Sequence, residues 1–421
     1  MTADRQRYLT RRALTGPWRV EGEASPGWAG AVVIPACDED DWLDATLASL
    51  AANPADVREK FLIVVVVNQT AGVADTVAAA NQRTLKQLRR ANGYPGLALA
   101  WIDAASPGLE LAGGPGPPRR LGLDRALAQL QPDDTAPLIC LDADTLVDSD
   151  YLNAILIHFS TPGVAGGAVL PYAHQPAATP ALQLAIDRYE LYLRCYTFGL
   201  ELAGSPYAFH TIGSAMACNA RAYVRCGGMN QRAAAEDFYF LQALAKTDAV
   251  VQLSGTCVHP SARPSSRVIF GTGPALNRLL VDATAIPAYP LAAFVLLKTF
   301  LDQVKAIGVE NGKRLQTEAD LLHPQLGTFC RQQRLEVVCS RLAENHRLPA
   351  QMQRAFHGWF DSLKTLQLLR FLAATIDFAP QPVEQVAVGF LGTIDLSAGM
   401  TLDRLLWKLR EMQNNGGKNL P

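Results

Sequence analysis

A short apolar run that ends in two carboxylates limits most strongly what this chain can fold into. Residues 138–141 are apolar and preceded by prolines, a length and composition typical of a strand buried in the middle of a sheet. Asp142 and Asp144 follow this run directly. Two anions at the end of a buried strand repel each other and are costly to desolvate unless a cation lies beside them. Mg²⁺ or Mn²⁺ is the natural candidate, because Mg²⁺ is usually held by one or two carboxylates together with phosphate oxygens and water.

The same two aspartates are also compatible with a simpler interpretation. Asp142 would cap a turn, and Asp144 or Asp148 would cap the helix that is predicted to start near Tyr151. An isolated Asp-x-Asp pair favours this interpretation. The organisation of the remaining chain therefore has to decide between a capped turn and a cation site.

Length and charge exclude several classes of protein. With 421 residues the chain is long enough for two or three domains, and 49% hydrophobic against 18% charged residues is a globular composition. The 38 basic and 39 acidic side chains nearly cancel, so we expect no binding of nucleic acid.

Cysteine usage and hydropathy predict a cytoplasmic location. The 8 cysteines form no Cys-x-x-Cys pair and several lie in apolar segments, which suits a reducing compartment better than a disulfide framework. Residues 1–15 are charged and lack the apolar core of a secretory signal. The longest apolar stretch, residues 285–297, is too short to span a bilayer and contains prolines. Peripheral contact with the inner face of a membrane remains open, and a transmembrane anchor is not expected.

Strands and helices alternate in the first part of the chain. Apolar runs at 29–35, 61–67 and 97–103 predict strands, whereas the segments at 42–52 and up to residue 90 have helical periodicity. This β-α-β-α-β order predicts a doubly wound α/β sheet, which binds its ligand beyond the carboxyl ends of the strands.

The later part of the chain is predicted to be mostly helical. A helix is predicted over 236–246 and a strand over 250–258. From about residue 276 the pattern is helical, with predicted helices near 278–283, 291–308, 333–345, 350–376 and 401–413. We therefore divide the chain into an N-terminal arm (1–28), an α/β domain (29–275) and a helical C-terminal domain (276–421).

Two arginine-containing loops are candidates for binding phosphate. Arg119 and Arg120 stand where a glycine- and proline-rich loop meets a predicted helix, and this arrangement suits a diphosphate or, equally, a solvated surface. Arg263 and Arg267 lie in a second basic loop, just after His259. A lone histidine at the end of a strand is usually structural.

Two further pairs of residues have both a functional and a structural interpretation. Gly213 and Ser214 permit a close approach of the backbone to a substrate, or simply a tight packing turn. Glu236 and Asp237 open a predicted helix, where the helix dipole favours acids, so that capping explains them as well as catalysis does.

The order of these elements resembles that of the GT-A glycosyltransferases, and among them the family 2-like enzymes. The matching parts lie within residues 29–275. The first is a strand that ends in Pro35, with Glu39 shortly after it, and the second is a strand with a polar end. They are followed by a glycine/arginine loop, the Asp142-x-Asp144 strand, the Gly213–Ser214 segment and the Glu236–Asp237 pair. The resemblance implies a GT-A fold with a helical C-terminal domain. It also implies transfer of a hexosyl group from a nucleotide-diphosphate sugar, with Mg²⁺ or Mn²⁺ on the diphosphate.

The resemblance further implies a role for each matching residue on the donor side. Asp144 would ligate the metal, His259 would complete the metal site, and Asp142 would lie near the ribose or the metal. The remaining donor-binding residues would be Pro35, Glu39, Asn68, Arg119, Arg120, Arg263 and Arg267.

On the acceptor side, Asp237, next to Glu236, would remove the proton of the acceptor hydroxyl in an inverting reaction. Gly213 and Ser214 would approach the acceptor, which would be a small molecule, a lipid or a glycan. Retention of configuration remains open, and Asp237 would then have a positional role. The helical C-terminal domain would shape the acceptor side or mediate formation of a homodimer.

The chain departs from the family pattern in two places. The second strand ends in Asn68, where the family usually has an aspartate on the nucleobase. Asparagine still donates and accepts hydrogen bonds, so the choice of base would differ instead of being lost. The Gln-x-x-Arg-Trp signature of processive members is absent. A single transfer is therefore expected in place of polysaccharide synthesis.

Two other function classes remain as alternatives. A nucleotidyltransferase also uses an α/β sheet and metal-bound carboxylates, but it normally has a glycine-rich basic loop straight after the first strand, where this chain has acidic residues 38–41. A degenerate glycosyltransferase fold could also serve as a binding or assembly module. Such a module would have no need to keep Asp142, Asp144, Asp237 and His259 together.

Overall fold

The computed structural model describes residues 2–23, 25–90, 96–265, 271–282, 286–393 and 400–414. These residues divide into two compact units. The first comprises the described residues of Met1–Ile186, Thr211–Asn277 and Glu411–Leu420, and the second those of Asp187–His210 and Arg278–Arg410.

The strands among the described residues belong to the first unit. They are β1 (Val20–Gly22), β2 (Gly30–Ala36), β3 (Phe61–Asn68), β4 (Ala98–Ala104), β5 (Pro137–Cys140), β6 (Leu146–Val147), β7 (Gly167–Val169), β8 (Met216–Asn219), β9 (Val250–Gln252) and β10 (Val258–His259).

The order of the strands in the sheet defines where a ligand is expected. Strands β1, β4, β3, β2, β5, β8, β7 and β9 form one sheet in this order, and β6 pairs with β10 separately. The central strands β4, β3, β2 and β5 are parallel, whereas β1 and β8 run antiparallel to their central neighbours. From β2 the chain adds β3 and β4 on one side and later places β5 on the other. The boundary between β2 and β5 is therefore a topological switch point, and ligands of open α/β sheets bind in the crevice beyond such a point.

Helices connect the strands and make up the second unit. They are α1 (Ala3–Arg11), α2 (Leu43–Ala51), α3 (Ala55–Arg58), α4 (Asp75–Arg90), α5 (Gly116–Gln129), α6 (Tyr151–Ser160), α7 (Pro180–Leu202), α8 (Ala220–Cys226), α9 (Glu236–Thr247), α10 (Thr272–Val281), α11 (Leu291–Ile307), α12 (Gly312–Leu322), α13 (Pro324–Gln332), α14 (Leu335–Asn345), α15 (Pro349–Trp359), α16 (Ser362–Leu372), α17 (Val383–Gly392) and α18 (Leu402–Asn414), with a 3₁₀ turn at Ile376–Phe378.

Helices cover both faces of the sheet, because successive side chains of the central strands point to opposite faces and are apolar on each. Val32 and Ile34 of β2 share a core with side chains of α2, α4 and α6. Val33 points to the other face, where Gly122 of α5 lies so close that an added Cβ would be 2.3 Å from Cγ1 of Val33. Gly122 therefore allows α5 to pack directly on the sheet.

The second unit is helical, and α11 to α17 lie wholly within it. Its core contains fully buried aromatic side chains, among them Phe294, Phe300 and Phe356. In the part of the chain that the structure describes, no helix is both long enough and apolar enough to cross a membrane.

The predicted α/β class with a helical C-terminal region is confirmed. The apolar run at 138–141 consists of residues 138–140 of β5 and the residue that follows. β5 lies inside the sheet, next to the switch point, as the apolar composition of the run predicts. The predicted strand over 250–258 is wrong, because β9 and β10 belong to different sheets. Gly255, at φ +87°, turns the chain between them.

Candidate functional site

Asp142 and Asp144 lie just beyond the carboxyl end of β5, beside the switch point. Ala143 between them is buried, and its carbonyl oxygen accepts a hydrogen bond of 2.8 Å from Oγ1 of Thr46. This bond fixes the backbone that carries both carboxylates. The Asp142 side chain remains 36% exposed and that of Asp144 18% exposed, so a ligand in the crevice can reach both.

Arg119 is the cation beside Asp142. One terminal nitrogen of its buried guanidinium donates to Asp142 and the other to Glu236, whose side chain is also buried. Burial alone lowers the pKa of Arg119, but the charges of Asp142 and Asp237 outweigh burial and hold this pKa above its usual value. The permanent positive charge of Arg119 therefore compensates acids that come from two distant parts of the chain.

Glycines leave the space that this arrangement needs. A Cβ on Gly213 would lie 2.5 Å from a terminal nitrogen of Arg119. Cβ atoms on Gly114 and Gly116 would lie 2.3 and 2.4 Å from backbone oxygens of residues 232–233. The glycine- and proline-rich loop thus packs against the loop that leads to α9.

Replacing Gly213 by alanine is expected to lower the free energy of unfolding by ~1–3 kcal/mol, because the added methyl group displaces a guanidinium that two carboxylates hold in place. Urea unfolding of the variant measures this loss. Gly389→Ala in α17 is the matched control, since nothing lies within 4 Å of its added Cβ and alanine favours a helix by roughly 0.5–1 kcal/mol. Equal stability of the two variants would contradict the placement of Arg119 against Gly213.

Arg263 is the cation beside Asp144. Its Nε donates to Oδ2 of Asp144 at 2.8 Å, and a terminal nitrogen donates to both carboxylate oxygens of Glu39 at 2.5 and 2.7 Å. Burial lowers the pKa of Arg263, but the charges of Asp144 and Glu39 outweigh burial and raise it. The indole ring of Trp42, which is 41% exposed, has its centroid 5.0 Å from the guanidinium carbon. One arginine thus joins an acid that follows β2 to an acid that follows β5.

His259 ends β10 and is brought to this region by the pairing of β10 with β6. Its Nδ1 lies 3.1 Å from the carbonyl oxygen of Ala173, which can only accept, and its Nε2 lies 2.9 Å from Oδ1 of Asp148. Gln175 links the backbones of the two predicted metal ligands, because its Nε2 donates to the carbonyl oxygens of Asp144 (2.8 Å) and His259 (2.7 Å).

Glu236 and Asp237 form the first turn of α9, as predicted. The preceding Ala235 has a left-handed backbone, at φ +56°, which is uncommon for a residue other than glycine and aims the start of this helix. Oδ1 of Asp237 accepts a hydrogen bond of 2.7 Å from the backbone of Phe238. Burial raises the pKa of the Asp237 carboxyl above its usual value, and the charge of Arg119 opposes this shift.

Pro35 and Asn68 lie at the carboxyl ends of β2 and β3. Pro35 is half-buried and stands in register with Val66. Oδ1 of Asn68 is buried and has no hydrogen-bond partner among the described residues. A buried acceptor without a donor is costly, and a ligand N–H group would satisfy it.

The remaining predicted residues are placed differently. Arg120 is not in this cluster, because it pairs with Asp124 at 3.3 Å and donates to the carbonyl oxygen of Met229 at 2.6 Å. Ser214 is buried beside Gly213. Arg267 lies outside the described residues. The predicted role of Arg120 in donor binding stays a prediction that no contact of its side chain supports.

A divalent cation at Asp144 would have few protein ligands. No group of three or more histidine, cysteine, aspartate or glutamate residues in the described segments is placed to hold a metal ion. The carboxylate of Asp144 nevertheless fits Mg²⁺ or Mn²⁺ bound mainly through a diphosphate and water, which is the usual way in which Mg²⁺ is held. His259 could join such a site only if its Nε2 turned away from Asp148. These residues therefore fit a metal that arrives with a ligand, and not a metal held by the protein alone.

Three residues of this region were not predicted as functional from the sequence. They are Trp42, Asp148 and Gln175. Trp42 follows the acidic loop after β2, and a search for aromatic residues beside that loop could have found it. Asp148 directly follows β6, and the backbone of Gln175 bonds to Pro260 just after β10. Both strands are only 2 residues long and give no strand pattern.

Comparisons with known proteins assign no family. No protein-family model matches the chain, and no curated protein matches its sequence. Among solved structures, it is similar to residues 1–349 of S. aureus TarS in complex with UDP-GlcNAc, with 14% identity, coverage of 93% of each chain and a TM-score of 0.38. It is also similar to the mannosyltransferase PcManGT from Pyrobaculum calidifontis in complex with GDP-Man and Mn²⁺, with 17% identity, coverage of 99% of this chain and 96% of that one, and a TM-score of 0.38. Similarity at this level assigns neither a function nor a site to this chain.

Proposed function

We propose that this protein is a GT-A, family 2-like glycosyltransferase, which moves a sugar from a nucleotide-diphosphate sugar to a hydroxyl acceptor with Mg²⁺ or Mn²⁺. The observation that carries the proposal is the convergence of acids and arginines from separate segments beside the topological switch point. The converging residues are Glu39, Arg119, Asp142, Asp144, Glu236 and Arg263. Alternating positive and negative groups of this kind suit a ligand that carries both a diphosphate and a cation.

The donor would lie across the carboxyl ends of β2, β3 and β5. Oδ1 of Asn68 offers an acceptor for an N–H group of the nucleobase. Arg263 would exchange its carboxylate partners for diphosphate oxygens, because a guanidinium binds carboxylate and phosphate in the same forked geometry. Arg119 would stay with Asp142 and Glu236, since it is too deeply buried to reach a ligand without breaking both pairs.

Asp144 would hold the metal, His259 would join it by moving its Nε2 from Asp148 to the cation, and Asp142 would lie near the metal or the ribose. When bound, the metal would supply Lewis-acid stabilisation of the charge that develops on the leaving diphosphate. Arg119 and Arg263 would add to this stabilisation, because they carry fixed positive charges in a partly buried site.

Asp237 would accept the proton of the acceptor hydroxyl while that oxygen bonds to the anomeric carbon and the bond to the diphosphate breaks. A single displacement of this kind inverts the configuration. The raised pKa of Asp237 brings the carboxyl closer to the working pH, where a general base is most effective. The acceptor would carry its hydroxyl on a small molecule, a lipid or a glycan. Gly213 would have a packing role against Arg119.

Thermal shift with nucleotides tests the proposal. UDP, GDP and ADP, each as the free diphosphate and as a sugar conjugate, are added with and without Mn²⁺. A ligand at 100 times its dissociation constant stabilises the folded state by ~2.7 kcal/mol, so one nucleotide should raise the melting temperature clearly, and more so with Mn²⁺. A flat panel would contradict the proposal and favour a binding module for another partner.

Replacing Asp144 by alanine is expected to remove the part of the nucleotide-induced shift that depends on Mn²⁺, because it removes the proposed carboxylate ligand of the metal. The matched control is Asp150→Ala, an exposed aspartate whose side chain makes no capping bond to α6. Calorimetric titration of the selected nucleoside diphosphate, with and without Mn²⁺, measures the effect in both variants. Unchanged metal dependence in Asp144→Ala would overturn the metal assignment.

A further inference from the structure

The N-terminal segment, residues 2–22, runs along α5, the helix that carries Arg119. It contains α1 and ends in β1, which pairs with β4 and so ties the segment to the edge of the main sheet. Trp18 adds a bond to the loop before α5, because its Nε1 donates to the carbonyl oxygen of Leu109 at 2.6 Å. The sequence predicts only a polar arm here.

Arg5 caps the C-terminal end of α5. Its side chain is almost fully buried, and its guanidinium donates to the carbonyl oxygens of Gln131 and Leu130, both at 2.8 Å, and to that of Leu127. The last carbonyl groups of a helix lack partners within the helix, and a cation at this end is favoured by the helix dipole. Arg5 therefore fixes the end of α5 that lies farthest from Arg119.

Asp124, in the middle of α5, is held by the same segment. Its buried carboxylate accepts hydrogen bonds of 2.7 Å from the hydroxyl group of Tyr8 and from the backbone of Leu14. Arg120 pairs with Asp124 and donates to the carbonyl oxygen of Arg12 at 2.6 Å. A buried carboxylate is stable only when it is paired and hydrogen-bonded, so these contacts fix α5 at a second point.

The other face of α5 lies directly on the sheet at Gly122, so the helix is held between the sheet and the N-terminal segment. An α-helix transmits a displacement along its axis because its backbone bonds keep the rise per residue constant. The guanidinium of Arg119 has hydrogen bonds to Asp142 and Glu236 that a shift of ~1 Å would break.

We propose that residues 2–22 are a positioning element of the candidate site: they fix α5 and thereby place Arg119 between Asp142 and Glu236, with Arg5 and Tyr8 as the positioning residues. The consequence for ligand binding rests on the proposed function, whereas the consequence for α5 does not.

Hydrogen exchange and nucleotide binding test this proposal together. The variants are Arg5→Met, which keeps the apolar stem but loses the cap, and Tyr8→Phe, which keeps the ring but loses one donor to Asp124. Arg7→Met is the matched control on the same helix, because the side chain of Arg7 is exposed and pairs with the exposed Asp4. Arg5→Lys is the conservative variant, since a lysine ammonium still has three donors for the same carbonyl groups.

Exchange is measured by mass spectrometry without nucleotide, on the backbone amides of residues 119–126 and, for reference, on those of β3. In Arg5→Met and Tyr8→Phe, exchange in residues 119–126 is expected to become roughly tenfold faster, with β3 unchanged. Arg5→Lys should restore most of the protection, and Arg7→Met should match the wild type. Faster exchange only beyond residue 126, or equally throughout the protein, would overturn the proposal.

The second readout is the dissociation constant of the nucleoside diphosphate that the thermal panel selects. It is expected to rise roughly threefold to tenfold in Arg5→Met and to stay unchanged in Arg7→Met. Unchanged affinity in Arg5→Met, together with faster exchange in α5, would also overturn the proposal. If the wild type binds no nucleotide, the proposed function fails, and the exchange readout alone decides whether the segment places α5.

Discussion

Replacing Asp237 by asparagine is expected to lower the rate of sugar transfer by ~10²–10⁴-fold and to leave donor binding close to that of the wild type. Asparagine keeps the size and the acceptor oxygen that bonds to the backbone of Phe238, but it cannot take a proton. Turnover is measured with the donor that the thermal panel selects, and donor binding is measured by calorimetry on the same preparation.

Asp248→Asn, at the other end of α9, is the control for this substitution. Its carboxylate also accepts a backbone hydrogen bond from the next residue, Ala249, and its other contacts, to the backbone of Gly166 and to half-exposed arginines, lie outside the candidate site. Its turnover should stay near that of the wild type. Because burial raises the pKa of Asp237, the wild-type rate should fall on the acid side at a higher pH than for an ordinary aspartate, as the base becomes protonated there. If Asp237→Asn turned over at the wild-type rate, Asp237 would have no role beyond that of a helix cap.

Replacing Arg119 by methionine is expected to lower the free energy of unfolding by ~3–5 kcal/mol, because it leaves the buried carboxylate of Glu236 without its cation. The partly exposed Asp142 loses its cation as well, but water screens that carboxylate. Methionine keeps most of the apolar volume, so the loss reports the charge and not a cavity. Urea unfolding at neutral pH measures the effect.

Arg331→Met is the control for the loss of an arginine in an ion pair. Arg331 pairs with Asp320 on the surface, where both side chains are more than one-third exposed, and such pairs contribute ~0–1 kcal/mol. A loss in Arg119→Met that is no larger than in Arg331→Met would contradict the description of Arg119 as the buried cation of the site.

The apolar runs of the central strands made much of the fold predictable. Residues 61–67 are all buried in β3, and such a continuous run has few interpretations other than a central parallel strand. The predicted helix over 350–376 is instead α15 and α16. Asp361 separates them, because its side chain caps α16 through the backbone of Lys364. The helices α12, α13 and α17 also escaped prediction, since tertiary packing stabilises short helices whose own pattern is weak.

The acidic members of the site could be predicted, and their partners could not. Asp142 and Asp144 follow an apolar strand that the sequence makes visible. The sequence predicts that Arg119 binds a diphosphate, and this role stays a prediction. Its position between Asp142 and Glu236 could not be read from the sequence, because the packing of α5 on the sheet decides where the first turn of this helix points. Contacts such as that of Asp148 with His259 depend on strands too short to have a pattern.

Analysis of the products by ³¹P NMR tests the central claim most directly. The wild type, Asp144→Ala and Asp237→Asn are each incubated with the selected nucleotide sugar, Mg²⁺ and a mixture of hydroxyl acceptors, and Mn²⁺ is left out. We expect the wild type to release the nucleoside diphosphate, and we expect both variants to lose this activity. Cleavage within the diphosphate would indicate nucleotidyl transfer, and tight nucleotide binding without any release would indicate a binding module. Either result would contradict the assignment of this protein as a glycosyltransferase.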